Sequence, residues 1–271
     1  MTGRFATATA VTLLERDVRN VETVRYGAEV HDGWDIGGNA NGGYLLAIAG
    51  RAMADAVGRP PLTITAHYLR PAPPGPCTVD VDIIRSGRRL ATVSATLSMA
   101  GVPTLQLLGT FGDQQPGGPM LQQVDPVELP PFDECPLRPQ TAEVPALMAN
   151  LDSRIHPDDG TYALGHPTGT PLIRGWFAHA DGEPIDAYSL LLAADAFPPP
   201  VFNTDVPVAW VPTIELTVHI RGVPSPGPLR CSFRSRFIHD GLLDEDGEIW
   251  DSSGALVCQS RQLSLMPRPP E

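Results

Sequence analysis

Apolar and polar residues alternate in two segments of the chain that have similar sequences. The first segment is ITAHYLRPAPPGPCTVDVDIIRSGRR and the second is LTVHIRGVPSPGPLRCSFRSRFIHDG. His219 follows His67 by 152 residues, and the same interval separates their Pro-Gly-Pro turns. A period of two is typical of half-buried β-strands, and proline and glycine mark the turns between them. Each segment therefore predicts two antiparallel strands, and their similarity predicts an internal repeat in the chain. The alternative is a chance similarity between two β-hairpins.

An apolar run precedes each of these segments and predicts a buried helix. The first run, NANGGYLLAIAGRAMADAVG, opens with Gly42 and Gly43 and stops at Gly58. The second run, IDAYSLLLAADAFPPP, starts near Asp186 and is stopped by three prolines. Both runs are apolar nearly all round, which indicates burial on most sides. Further strands follow in LATVSATLSMAGVPTLQLLGTF and EIWDSSGALVCQSRQLSLM, so each half is predicted to be an antiparallel sheet curled around one apolar helix.

A proline-rich stretch separates the two halves. The chain has 30 prolines among its 271 residues, and many of them gather between Asp113 and Pro145. This stretch has no apolar period of useful length, which is typical of an extended connector. We therefore predict an N-terminal domain over residues 1–112, a connector over residues 113–149 and a C-terminal domain over residues 150–271.

Charge and composition argue against several classes of protein. The net charge of −12 means that the surface repels nucleic acid and anionic membranes, so we expect neither as a partner. No apolar run approaches the ~18 residues of a membrane span, and the first residues do not form a signal peptide. The four cysteines are scattered without a CxxC pair. Such spacing is typical of reduced thiols, and we expect a cytoplasmic protein.

The sequence lacks the motifs of common metal, nucleotide and serine-hydrolase sites. Its seven histidines show no HxxxH or HxH spacing, so we expect no metal. The stretch GGNANGG is neither a dinucleotide fingerprint nor a P-loop. There is no Gly-x-Ser-x-Gly elbow, which argues against a serine hydrolase. We expect no cofactor.

Two stretches and the closing strand resemble a known family. NGGYLLAIAGRA and TITAHYLRPAPPGP resemble the first half of the acyl-CoA thioesterase II-like, double-hotdog family. DSSGALVCQSRQLSLMP resembles its closing strand, in which a glutamine follows a Gly-x-Leu-Val motif. The resemblance implies an α+β double hotdog, with two antiparallel sheets each wrapped around a long apolar helix. It also implies hydrolysis of fatty acyl-CoA to a free acid and CoA, with acyl-CoA as the partner, and we expect a homo-oligomer.

The same resemblance implies a set of catalytic residues. In the family an aspartate on a helix, a threonine at a strand start and a glutamine in the last strand hold the hydrolytic water. Here Asp195 stands in LLLAADAFPPP, Thr213 begins TIELTVHIRG, and Gln262 follows GALVCQSR. The resemblance therefore implies that Asp195 is the general base. The letters AADAFPPP and TIEL depart from the family's usual sequence at these places.

Asp195 and Gln262 each have a structural alternative. Asp195 lies near the end of the predicted helix, where the macrodipole disfavours an acid, so an exposed acid at a helix end is the alternative. Its apolar neighbours argue against that alternative. Gln262 shares an alternating face with Ser260 and Ser264, which suits the interior of a sheet beside a site. The alternative is an ordinary strand glutamine on a solvent face.

Thr213 and the two helix glycines have alternatives as well. Strict alternation groups Thr213 with Glu215 and points it away from the helix unless the chain bends after Pro212. A plain β-branched strand residue is therefore the alternative for Thr213. Gly42 and Gly43 permit close backbone approach, and free N–H groups there suit an oxyanion or phosphate. A tight helix entry alone would also explain both glycines.

Three arginines and two histidines complete the candidates. Arg85, Arg88 and Arg89 in IIRSGRRL form the densest positive cluster of this acidic chain. We call them the hairpin arginines. Guanidinium groups suit the phosphates of CoA, with a solvated hairpin tip as the alternative. His67 and His219 occupy equivalent strand positions, which indicates a structural role in packing.

Two other functions remain open at the level of sequence. An enoyl-CoA hydratase of the same fold would need paired Asp and His in a motif such as Asp-x-Asn-Pro-x-His, which is missing. A protein that binds acyl or other hydrophobic ligands without turnover is the second alternative. Because one fold hosts many functions, the thioesterase interpretation depends largely on the match of Asp195, Thr213 and Gln262.

Overall fold

The computed structural model describes residues 3–17, 22–114, 121–137 and 144–267. Within these residues the helices are α1 (Arg4–Ala8), α2 (Gly42–Val57) and α3 (Ala187–Ala193). The strands of the first half are β1 (Val11–Asp17), β2 (Glu22–Val30), β3 (Asp35–Ile36), β4 (Asn39–Ala40), β5 (Pro61–Tyr68), β6 (Gly75–Ser86), β7 (Leu90–Met99) and β8 (Val102–Gly112). Those of the second half are β9 (Arg154–Ile155), β10 (Leu172–Phe177), β11 (Thr213–Ile220), β12 (Leu229–Arg234), β13 (Ile238–His239), β14 (Leu242–Trp250) and β15 (Leu256–Leu265).

Thirteen of the described strands form one antiparallel sheet. Its order is β1-β2-β6-β7-β8-β5-β11-β15-β14-β12-β10-β9, and β13 pairs with β14 beside this path. The order is symmetrical about its centre, because β5 and β11 lie side by side and each is followed outward by the last strand of its own half. The earlier strands of each half then follow in reverse order. The topology therefore repeats, as the two similar segments of the sequence predict.

Strands β5 and β11 join the two halves. Thr65 and Thr217 are directly opposite each other in this pairing, and their hydroxyl groups are hydrogen bonded at 2.8 Å. The two threonines are also 152 residues apart, the interval of the sequence repeat. A pseudo-two-fold axis therefore passes between them. One apolar core extends through both halves, and the four cysteines are buried free thiols.

Helix α2 is the long apolar helix that the sequence predicts. The side chain of Asn41 caps its start by accepting a hydrogen bond from the Tyr44 amide at 2.9 Å. The helix stops at Gly58, whose φ of 64° is the left-handed conformation that glycine adopts at low cost. Twelve of its sixteen residues are buried, and it packs on β2, β5, β6 and β7.

The second half requires a correction, because it is not wrapped around a long helix of its own. Helix α3 has seven residues, and the chain leaves it before Asp195. Pro198 to Pro200 lack N–H donors, and a residue before proline avoids the helical conformation, so the helix cannot continue. We expected two separate sheets, but the structure has one. Pairing of β5 with β11 joins the two halves and covers the edges that two separate sheets would leave open.

The two helices of the core meet at both of their N-caps. The Asp186 carboxylate caps α3 and also accepts a hydrogen bond from Arg51 Nη2 of α2 at 3.1 Å. The Arg51 guanidinium lies 4.1 Å from the ring centre of Tyr188. At the other end, Asn41 caps α2 and contacts Asp195, just beyond α3. Each N-cap thus faces a polar residue contributed by the other half.

The described parts of the proline-rich stretch pack on the second half. The indole N–H of Trp176 donates to the Pro130 carbonyl at 3.0 Å. Gln122 donates to the Gly254 carbonyl and accepts from the Leu256 amide, both at 2.9 Å. A short 3-10 turn over Ala146–Asn150 buries two apolar side chains. This stretch therefore contributes to the wall of the second half.

Candidate active site

A cavity of about 1300 Å³ opens beside the N-terminus of α2. Residues of both halves and of the proline-rich stretch line it. Asp195, Thr213 and Gln262 all border this one cavity, although they are far apart in the chain. Most of the wall is apolar, including Leu45, Met148, Tyr162, Phe197, Phe202 and Trp210.

The Asp195 carboxylate is held against the start of α2. Its Oδ2 accepts hydrogen bonds from the Gly43 amide at 2.9 Å and from Asn41 Nδ2 at 2.8 Å. Asn41 Nδ2 also donates to the Asp195 backbone carbonyl at 2.7 Å. Asp195 follows the unfavourable C-terminal end of α3, but its carboxylate faces the positive end of the much longer α2. The end of α3 is thus unfavourable for an acid, but the N-terminus of α2, from the other half, provides a site that binds its negative charge.

Burial determines the acidity of Asp195. Removal from water raises its pKa to about 6, although hydrogen bonds from Gly43, Gly42 and Asn41 act in the opposite direction. The side chain is half-buried, with its exposed part bordering the cavity. A carboxylate with this pKa is ionised at neutral pH and is a stronger base than an ordinary aspartate.

Gly42 and Gly43 allow the close approach on which this contact depends. A Cβ atom on Gly43 would lie 2.7 Å from the Leu191 carbonyl oxygen and 3.0 Å from Asp195 Cβ. A Cβ atom on Gly42 would lie 2.9 Å from Cε1 of Tyr68, whose hydroxyl donates to the Gly42 carbonyl at 2.9 Å. Because Asp195 engages the Gly43 amide here, binding of an oxyanion or phosphate at these glycines stays a prediction.

Thr213 and Gln262 form a hydrogen-bonded pair on neighbouring strands. Gln262 Nε2 donates to Thr213 Oγ1 and to Ser264 Oγ, each at 2.9 Å. Gln262 is 7 % exposed, so it does not lie on a solvent face. Its alternating face is buried from Cys258 to Ser264, as the sequence predicts.

A bulge at the start of β11 brings Thr213 to this face. The register of β11 with β15 shifts between Thr213 and Glu215, so strict alternation does not extend across Ile214. Thr213 pairs with Ser264 on β15 and borders the cavity. The chain therefore bends after Pro212, which is the condition under which the sequence pattern allows Thr213 to point inward.

The hairpin arginines lie elsewhere. Arg85 is near the end of β6, the other two lie in the turn to β7, and all three are exposed. Arg59, just beyond the C-terminus of α2, donates to the carbonyls of Gly87 and Arg88 in this turn. Since α2 has sixteen residues at 1.5 Å each, the turn is about 24 Å along the helix from its N-terminus. The structure does not bring this cluster to the cavity.

Sequence reasoning missed several polar residues of the cavity, and three of them lie near Asp195 or Gln262. Asn41 stands immediately before the helix glycines, and an asparagine there is a typical N-cap, which was the available signal. Glu245 occupies an inward position of the alternating strand LLDEDGEIW, and it is 8 % exposed. Tyr68 is the last residue of β5, and burial together with the charges of Asp195 and Glu215 raises its pKa well above the usual value.

No helix in the described ranges is both long enough and apolar enough to cross a membrane.

Comparisons with known proteins agree with this arrangement. The family model for the acyl-CoA thioesterase N-terminal domain matches residues 30–112, and that for the acyl-CoA thioesterase C-terminal domain matches residues 126–266. An uncharacterized protein of Mycobacterium tuberculosis is 29 % identical, over 98 % of this chain and 99 % of its own length.

Solved structures share the fold over the whole chain. A candidate thioesterase II from Thermobifida fusca is 31 % identical with a TM-score of 0.87, and the match covers 98 % of each chain. A hotdog-fold protein of unknown function from Alicyclobacillus acidocaldarius is 21 % identical with a TM-score of 0.82, over 100 % of both chains. An acyl-CoA thioesterase II from Mycobacterium marinum is 17 % identical with a TM-score of 0.73, over 98 % of both. With both halves matched in order, the chain belongs to the acyl-CoA thioesterase family of hotdog proteins and is a thioester hydrolase.

Proposed function

We propose that the protein hydrolyses fatty acyl-CoA thioesters to a free acid and CoA with a water molecule that Asp195 activates. The observation that carries this proposal is the Asp195 carboxylate, which Asn41 and Gly43 hold at the edge of a large apolar cavity. Membership of the acyl-CoA thioesterase family supports the substrate class. The apolar wall suits the acyl chain, and the polar end of the cavity suits the thioester.

Asp195 is the general base in this proposal. The water donates one proton to the carboxylate while its oxygen attacks the thioester carbonyl carbon, and the C–S bond then breaks. A base is most effective when its pKa is near the working pH, and burial raises the pKa of Asp195 to about 6. Because Oδ2 is already bound by Asn41 and Gly43, the other oxygen, Oδ1, is the one that takes the proton.

Thr213 and Gln262 position the water. The Thr213 hydroxyl oxygen accepts from Gln262, which leaves its own hydrogen to be donated to the water oxygen. Gln262 is in turn fixed by Ser264, so the pair is rigid before substrate arrives. Preorganised neutral donors of this kind orient a nucleophile without competing for its proton.

The direct test is release of free thiol from purified acyl-CoAs of graded chain length. The parent protein should turn over at least one of them, and Asp195→Asn should lower kcat by roughly 10²–10⁴-fold, the usual share of general acid–base catalysis. Asp205→Asn is a matched control, since Asp205 is exposed and does not line the cavity.

Two outcomes would count against the proposal. If the parent protein binds acyl-CoA but releases no thiol across the whole panel, binding without turnover becomes the better account. If Asp195→Asn retains a kcat within a few-fold of the parent, Asp195 is not the base.

A further inference from the structure

A second carboxyl group, that of Glu245, borders the same cavity as Asp195. Glu245 lies on β14 directly opposite Gln262 of β15. Although 92 % of its surface is removed from solvent, none of the described residues forms a hydrogen bond or ion pair with its carboxyl group. Burial of an ionised acid without a partner is costly, so the neutral form of Glu245 is favoured.

The two carboxyl groups have opposite surroundings. Asp195 accepts two hydrogen bonds and faces the N-terminus of α2, all of which favour its ionised form. Glu245 accepts no hydrogen bond from the part of the chain that the structure describes, and burial followed by the charges of Asp195, Asp244 and Asp246 raises its pKa well above the usual value. Two acids beside one largely apolar cavity do not readily ionise together, so the negative charge resides on Asp195 and the proton on Glu245.

Among the described residues, no cation lowers the pKa of Glu245 against these effects. The nearby guanidinium groups of Arg236 and Arg261 both pair with Asp246, on the opposite face of β14. From the neighbouring strand β15 the group facing Glu245 is the neutral amide of Gln262. Among the described residues, the remaining titratable groups along the cavity are Tyr68, Tyr162, His156 and Arg70.

We propose that Glu245, in its protonated form, is the general acid that protonates the sulfur of the departing thiol. This inference rests on the thioester hydrolysis proposed above. The attacking water gives one proton to Asp195, and the electron pair of the breaking C–S bond goes to sulfur, which takes the Glu245 proton. The products are a carboxylic acid and a thiol, with Asp195 protonated and Glu245 ionised. Transfer of one proton from Asp195 to Glu245 through water restores the starting state.

The electrostatics of the cavity favour such a donor. The cysteine thiol has an unperturbed pKa of about 8.5, and simple alkyl thiols are weaker acids still, so a departing thiolate of this kind is the less stable form at neutral pH. With Asp195 protonated by the attacking water, expulsion of a thiolate would leave the negative charge of the site on sulfur beside a largely apolar wall, with Glu245 still uncharged. Departure as a neutral thiol avoids that cost. The negative charge is then on Glu245, at the stage of the reaction in which Asp195 is protonated and neutral.

The test compares two esters of the same acyl chain, one with N-acetylcysteamine and one with thiophenol. Both lack the nucleotide, and thiophenol is much the stronger acid, so its departure does not need a proton. Glu245→Gln should lower kcat for the N-acetylcysteamine ester by roughly 10²-fold or more. The fold-loss of kcat for the thiophenyl ester should be smaller than this by a factor of about ten or more. Glu248→Gln is the matched control, because Glu248 lies on the same strand but not along the cavity. It should leave both rates unchanged.

Equal losses on both esters, or no loss on either, would overturn the assignment of Glu245 while leaving hydrolysis itself established by the parent's turnover. A parent protein that hydrolyses neither ester nor any acyl-CoA would overturn both proposals. A second measurement uses the parent alone and does not depend on the folding of a variant. Its kcat for the N-acetylcysteamine ester should fall at high pH as Glu245 loses its proton, and its kcat for the thiophenyl ester should not. The same high-pH limb with both esters would contradict the inference.

Discussion

Replacing Asp195 by Asn should make the protein more stable at pH 8, in addition to its effect on turnover. Burial raises the pKa of Asp195 from an unperturbed value of 3.8 to about 6. Between these values the folded state holds a proton that the unfolded state has lost, so stability falls as pH rises from about 4 to about 6. The contribution is fully present below pH 4, and it is lost above pH 6, where the buried carboxylate is charged.

The magnitude follows from the difference between the two pKa values. About two pH units correspond to about 3 kcal/mol, and screening of the half-buried group by cavity water reduces this to about 1–3 kcal/mol. Asparagine has nearly the shape of aspartate, and its amide oxygen can accept from Asn41 and Gly43 as Oδ2 does. The variant therefore keeps the contacts and loses the desolvated charge.

Urea unfolding of the parent and of Asp195→Asn at pH 4, 5, 6, 7 and 8 measures this directly. The two free energies of unfolding should agree near pH 4 and diverge up to pH 6, with the variant more stable. They should then run parallel. A variant that is equally or less stable at pH 8 would refute this account of the carboxylate, as would a difference that does not change with pH.

Three further outcomes are expected. The kcat/KM for an acyl-CoA should fall about tenfold per pH unit below about pH 6 as Asp195 is protonated, which a pH–rate profile measures. Gly43→Ala should cost about 1–3 kcal/mol and lower kcat, because its Cβ would lie 2.7 Å from the Leu191 carbonyl oxygen. Gly222→Ala should be tolerated in the same urea and kinetic assays, since its Cβ would lie 3.5 Å from the nearest atom of Val257. Alanine at all three hairpin arginines should leave KM for acyl-CoA unchanged, because these residues do not line the cavity.

Local patterns of the sequence predict those parts of the fold that local rules govern. The apolar run from Gly42 to Gly58 is one helix in the structure, with the cap and stop that its end residues indicate. The alternating face of β15 is buried as predicted, and Gln262 lies on it. In each case the residues that decide the outcome are within a few positions of one another.

The features that sequence reasoning missed depend on contacts between distant segments. Asp195 lies just beyond the end of α3 and is bound by Asn41, which is 154 residues away in the chain. The bulge that turns Thr213 inward is set by pairing with β15. Glu245 is a partial exception, because the alternation of LLDEDGEIW places it on the buried face.

The two N-caps of the core helices have a consequence for stoichiometry. Around the pseudo-two-fold axis, the contact of Asp195 with Asn41 corresponds to the contact of Arg51 with Asp186. At the second position the acid is itself the cap, and a guanidinium stacked on Tyr188 neutralises it. Of the two related positions, only the one at Asp195 therefore presents an ionised carboxylate without a cationic partner to a ligand. Two identical halves would present two such carboxylates. Under the proposed mechanism, this asymmetry predicts one catalytic carboxylate of the Asp195 kind per polypeptide.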